Sequence, residues 1–149
     1  MSEKTGEDQS IVNRLLVQAI SKDNDKLRRF ISGWSALEIL INKVFSEYEK
    51  LFIQNLIGTA PTGHTQRYFD RIRNVMQGKY RITDKFVILV ACLGDNESIE
   101  SDIESFEFIK EKRDSLFHGN VIDESSLPIN EIVILLKKYL ARHIDKKAS

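Results

Sequence analysis

Apolar residues recur at three- and four-residue intervals along most of this chain, the period of amphipathic helices. Ile11, Val12, Leu15, Leu16, Ala19 and Ile20 form a first stripe, with Ser10 as its expected N-cap. After a polar break at Ser21 to Asp25, a near-heptad rhythm runs from Leu27 through Phe30, Trp34, Leu37, Ile41, Val44 and Tyr48 to Phe52. It predicts a helix of about thirty residues ending near Gly58, the spine of a bundle. Thr59 to Thr65, with Pro61 and Gly63, reads as a loop. Phe69, Ile72 and Met76 predict a shorter helix over 66–77, stopped by Gly78.

Thr83 and Asp84 open the next segment, which closes at Gly94. Its apolar run is short enough for a buried strand, but no second strand-like segment exists to pair with it, so helix is the better reading. Asn96 or Ser98 starts a helix that carries Ile99, Ile103, Phe106, Ile109 and Leu116, with Gly119 in the C′ position. Pro128 opens the last, through Ile132, Leu136, Leu140 and Ile144, before a fraying Lys/Arg-rich tail. The expected fold class is all-α: an up-and-down bundle of four to five main helices plus a short extra one.

With 149 residues the chain suits one domain, expected over 10–146 behind a polar, disordered leader over 1–9. Twenty-two basic residues balance twenty-two acidic ones. Neutrality argues against coating nucleic acid by bulk charge, though not against a local basic patch. The single cysteine, Cys92, sits in an apolar run and reads as a small core residue, consistent with a reducing, cytoplasmic setting. Neither a signal-peptide stretch nor an apolar run of membrane-spanning length occurs. No His/Cys pair has metal-ligand spacing and no Gly-rich phosphate loop is present, so neither a metal nor a cofactor is expected.

The candidate chemistry lies in Lys112-Arg113-Asp114-Ser115-Leu116-Phe117-His118-Gly119-Asn120. Arginine is a permanent, forked phosphate ligand, and histidine suits proton transfer near neutrality. Five residues rotate by about 140° on an ideal helix, so Arg113 and His118 can converge only because Gly119 ends the helix and lets His118 swing out at the cap. A helix C-terminus attracts positive charge, which suits a general acid or a phosphate ligand there. Structural readings stand beside these: His118 as a cap on terminal carbonyls, and Arg113 in a salt bridge with Glu111 or a facing acid.

Residues 66–81 carry Arg67, Arg71, Arg73, Lys79 and Arg81 with Tyr68, Phe69 and Tyr80 interleaved. They fit either an RNA-backbone groove with stacking aromatics or a solvated face with its aromatics packed inward. Lys112 is a further candidate RNA contact. His64 reads as a surface loop residue, and His143, among tail lysines, as inert.

The motif segment resembles the Arg-x4–6-His motif of the HEPN superfamily of RNA-processing and defence domains, nearest the Apea-like HEPN group. Asp114 fills the polar place that follows the arginine. Trp34-Ser35-Ala36-Leu37-Glu38-Ile39-Leu40 is similar to the family's aromatic-x-x-Leu-Glu stretch, and Leu-Pro-Ile-Asn-Glu at 127–131 is in character. The likeness spans roughly residues 25–145 in layout, and its specific part is the motif. The resemblance implies a homodimer joining two motifs in one cleft, and metal-independent cleavage of RNA to a 2′,3′-cyclic phosphate. It casts Arg113 as phosphate ligand, His118 as proton carrier and Asp114 as orienter of one or the other. Glu38 reads either as a carboxylate reaching toward the motif from a neighbouring helix or as an ordinary exposed helix glutamate; Asn42, one turn further along the same face, could join it, and Asn120 is a further supporting candidate. It also implies a toxin or antiviral effector with an antitoxin or larger defence partner, or else a catalytically silent dimerisation, RNA-binding or partner-binding module.

Overall fold

The computed structural model describes residues 2–58 and 63–148, and every regular element among them is helical. The helices are α1 (Ser2–Ile20), α2 (Lys26–Gly58), α3 (Gly63–Met76), α4 (Ile82–Leu93), α5 (Ile99–Phe117) and α6 (Ile129–Ala148), with a 3₁₀ turn at Glu124–Ser126. The elements follow the apolar periodicity, and the punctuating residues act as their chemistry requires. Asp84 accepts from the Arg81 N–H at the start of α4, and Asp95 accepts from the Ser98 N–H and hydroxyl before α5. Gly78 and Gly119, both at φ 78°, end α3 and α5 in a conformation that a Cβ disfavours.

α2 is the spine. Arg29 Nε reaches the Ala19 carbonyl and Ser32 bonds Gln18, which sets α1 antiparallel to it. α6 runs alongside in the same direction as α2: Gly33 meets Ile132 near one end, and Glu47 approaches His143 near the other. A Cβ on Gly33 would stand 2.7 Å from Ile132 Cγ2, so this crossing depends on glycine. One core cluster joins α1, α2, α4, α5 and α6. Its centre is an aromatic ladder: Trp34 stacks on Phe106 (5.9 Å), Phe106 on Phe86 (4.3 Å), and Phe86 meets Tyr139 edge-on (5.9 Å). Each such buried ring contributes about 1.5–3 kcal/mol by transfer alone.

Three expectations are corrected. Residues 2–9 are the first turns of α1, and Ser10 lies inside that helix. The segment lacks apolar residues, so the pattern is silent there, yet its Glu and Lys are good helix formers and no proline interrupts them. The C-terminal tail continues α6 to Ala148. His143 lies within that helix, buried at 4% exposure. The expected loop over 59–65 shrinks, because α3 begins at Gly63; residues 59–62 and the His64 side chain lie outside the described residues.

Candidate functional site

α5 carries the motif to the bottom of the bundle. Phe106, Lys110, Arg113 and Phe117, spaced by three and four residues, share one face, and that face meets Trp34 of α2. The Arg113 guanidinium is clamped between two rings, 5.4 Å from the Trp34 centroid and 4.5 Å from that of Phe117. Its Nη1 donates to Asp114 Oδ1 at 2.8 Å, and Lys110 Nζ donates to Asp114 Oδ2 at 2.8 Å. The two cations, Lys110 first, hold the Asp114 carboxyl below the usual carboxylate range. Clamped as it is, the Arg113 side chain keeps 33% exposure, so it stays reachable by an anion.

His118 is the C-cap of α5 and its side chain is exposed. Its backbone N–H bonds the Asp114 carbonyl, Gly119 N–H bonds Leu116 and Asn120 N–H bonds Ser115, the reciprocal pair of a Schellman motif. The terminal carbonyls are therefore satisfied by backbone, and the imidazole has no hydrogen-bond partner among the described residues. The capping role open to His118 is not the one it takes. Nor does Arg113 pair with Glu111 or a facing acid; its carboxylate partner is Asp114 next to it.

The supporting residues divide. Asn120 serves the cap through its backbone. Glu38 is half-buried on α2, one turn beyond Trp34, without an ion pair to Arg113 among the described residues. Asn42 accepts from Lys85 of α4 at 2.9 Å, so the structure commits it away from the motif. Lys112, rotated about 100° from Arg113, lies 5.5 Å over the Phe108 ring on another face of α5. Lys110 is the basic residue that joins the site, and its i,i+4 spacing to Asp114 is the local signal for it. Phe117, 57% exposed beside both motif residues, was not singled out by the sequence reading, and Val121 beyond it is fully exposed.

The basic segment forms a second region. Arg67, Arg71, Lys79 and Arg81 are exposed, while Arg73 stands 3.9 Å from Glu49 of α2. Tyr68 is 65% exposed, whereas Phe69 is half-buried and Tyr80 packs edge-on against Phe45 at 4.8 Å. Inward packing of the aromatics thus holds for two of the three.

Elsewhere, charges are used to fasten helices. Asp102, buried on α5, accepts from the Tyr139 hydroxyl and from Lys138 Nζ (2.7 Å) of α6. Burial and Asp102 push the Tyr139 phenol well above its ordinary value. Arg142 binds the Leu93 carbonyl and Asp95, closing the α4–α5 turn onto α6. Cys92 is half-buried, and burial raises its thiol above the usual range. Among the described residues, no group of three or more His, Cys, Asp or Glu side chains is placed to hold a metal, and no helix is long and apolar enough to cross a membrane.

Comparison with protein-family models, with characterised proteins and with solved structures finds no match to this chain.

Proposed function

We propose that this protein is an endoribonuclease of the HEPN type whose Arg113–His118 motif cleaves RNA without a metal. The observation that carries this reading is the division of labour at the end of α5. Arg113 is held by Asp114 and two aromatic rings yet remains accessible, while His118, capping the same end of α5, is exposed with an uncommitted imidazole. A preorganised cation suits the charge that builds on phosphate oxygens during in-line attack. In that reaction the ribose 2′-oxygen bonds to phosphorus and the bond to the 5′-oxygen breaks. The 2′-OH proton passes to a base, and an acid protonates the departing 5′-oxygen. Products are a 2′,3′-cyclic phosphate and a 5′-OH. His118 supplies one of those proton transfers, and in a homodimer the second copy's motif supplies the other. A toxin or antiviral effector restrained by an antitoxin or a larger defence partner fits such chemistry.

A second reading is a silent module that binds RNA or a protein. The exposed Phe117 and Val121 favour it, since an apolar patch beside the motif suits contact with a partner or a second copy. The test is cleavage of end-labelled RNA in EDTA. Cyclic-phosphate ends from the wild type, with a loss of roughly a hundredfold or more in Arg113→Ala, support the enzyme. An inactive but well-folded wild type supports the module.

A further inference from the structure

The groove between α2, α3 and the α3–α4 turn has no part in the chemistry above, and its lining is unlike that of a phosphate site. It encloses about 550 Å³ and presents Asn74, Gln77, Asp70 and Glu49 around Tyr80, which packs against Phe45. Such a volume lies within the range of small-molecule sites, roughly 300–1,000 Å³. Arg73 lies in the groove 3.9 Å from Glu49, leaving Asp70 as the carboxylate without a basic partner there. The interior is therefore neutral to acidic and rich in amide donors and acceptors. The adjoining chain is the reverse: Lys79 and Arg81, which flank the lining residue Tyr80, are both exposed.

Amides, a carboxylate acceptor and an aromatic ring in the groove, with cations on the adjoining chain, match an extruded nucleobase whose phosphates stay outside it. A carboxylate accepts hydrogen bonds from an exocyclic amine but repels a phosphate, which decides the orientation. We infer that this groove binds one unstacked base of single-stranded RNA, and that it prefers a base bearing an exocyclic amine over uracil. The inference rests on RNA being the ligand of the Arg113–His118 motif. Both sites lie along one edge of α2. Trp34 backs Arg113, Asn42 holds Lys85, Phe45 meets Tyr80 and Glu49 faces Arg73. These four positions fall within about 80° of one another around the helix and span about 22 Å. A single strand lying on this edge meets the groove several nucleotides from the bond that is cut, out of reach of a dinucleotide.

Short, fluorescein-labelled 2′-O-methyl oligonucleotides, which cannot be cleaved by 2′-OH attack, test this by anisotropy. Oligo(A) and oligo(C) are expected to bind roughly three- to tenfold tighter than oligo(U), the worth of one or two hydrogen bonds. Asn74→Ala and Asp70→Ala should erase that preference. Lys79→Ala and Arg81→Ala should weaken all three alike and flatten the salt dependence. Equal affinity for the three, a preference that survives both groove variants, or no binding by the wild type overturns the inference. Dinucleotide cleavage reads the motif alone. Dinucleotides cut without any base preference in binding sink the groove and leave the ribonuclease. A base preference without dinucleotide or RNA cutting does the opposite.

Discussion

The two ends of α5 each carry an aspartate bonded to a lysine, and they use it differently. At one end Asp102 is buried and its partners, Lys138 and Tyr139, come from α6, 36 and 37 residues away. At the other, Asp114 is bonded by Lys110 and Arg113 of its own helix, and its side chain is 33% exposed. The first arrangement fastens two helices and leaves no donor turned outward. The second orders a cation locally and leaves it open. A carboxylate with distant partners stabilises the fold, while one with local partners shapes a surface, and only a shaped surface can act on a ligand.

Substitution separates the two. Asp102→Ala strands the Tyr139 hydroxyl and uncouples α5 from α6, and is expected to cost roughly 2–4 kcal/mol in chemical denaturation. Its RNA cleavage per folded molecule should stay near wild type. Asp114→Ala should reverse the pattern: a stability change under about 1 kcal/mol, because its pairs are partly exposed, with cleavage reduced roughly ten- to a hundredfold. If Asp114→Ala destabilises as much as Asp102→Ala, the contrast between the ends disappears.

Gly119→Ala probes how the open end is shaped. Its φ of 78° penalises a Cβ, so about 1 kcal/mol of stability should be lost, and cleavage should fall as His118 is displaced. Unchanged cleavage would separate the Schellman turn from the site.

The smallest effect concerns His143, a buried group outside both ends. Its two ring nitrogens lack hydrogen-bond partners, and Glu47 Oε2 is 3.7 Å away. Burial lowers its pKa below the ordinary 6.5, opposed by Glu47 and reinforced by Lys147 and Lys43. The unfolded chain therefore binds the proton more readily than the folded one. Stability is complete above about pH 6.5 and declines as pH falls through the folded value. His143→Leu should flatten that decline and leave stability at pH 8 equal or up to about 1 kcal/mol higher. A decline of unchanged steepness would assign it to other groups.

Helix boundaries were legible where a residue type has one dominant use: Gly78, Gly94, Gly119, Pro128 and Asp84 stand where the pattern placed them. The beginning of α1 was not, because a helix of charged residues leaves no apolar period to read. At the candidate site, the closeness of Arg113 to Asp114 follows from adjacency. The Trp34 clamp does not, since it depends on how α2 and α5 cross. Lys112 adjoins Arg113 in sequence but faces elsewhere, while helical rotation, also readable from spacing, turns Lys110 toward Asp114. The links from Asp102 to Tyr139 and from His143 to Glu47 join residues far apart in the chain, and no local signal announces them.

The most direct measurement is single-turnover cleavage of RNA in EDTA by His118→Ala beside the wild type, at matched folded fraction. A rate lower by roughly a hundred- to ten-thousandfold, with cyclic-phosphate ends from the wild type, is the predicted result. Equal rates for the two would contradict the assignment of proton transfer to the open end of α5.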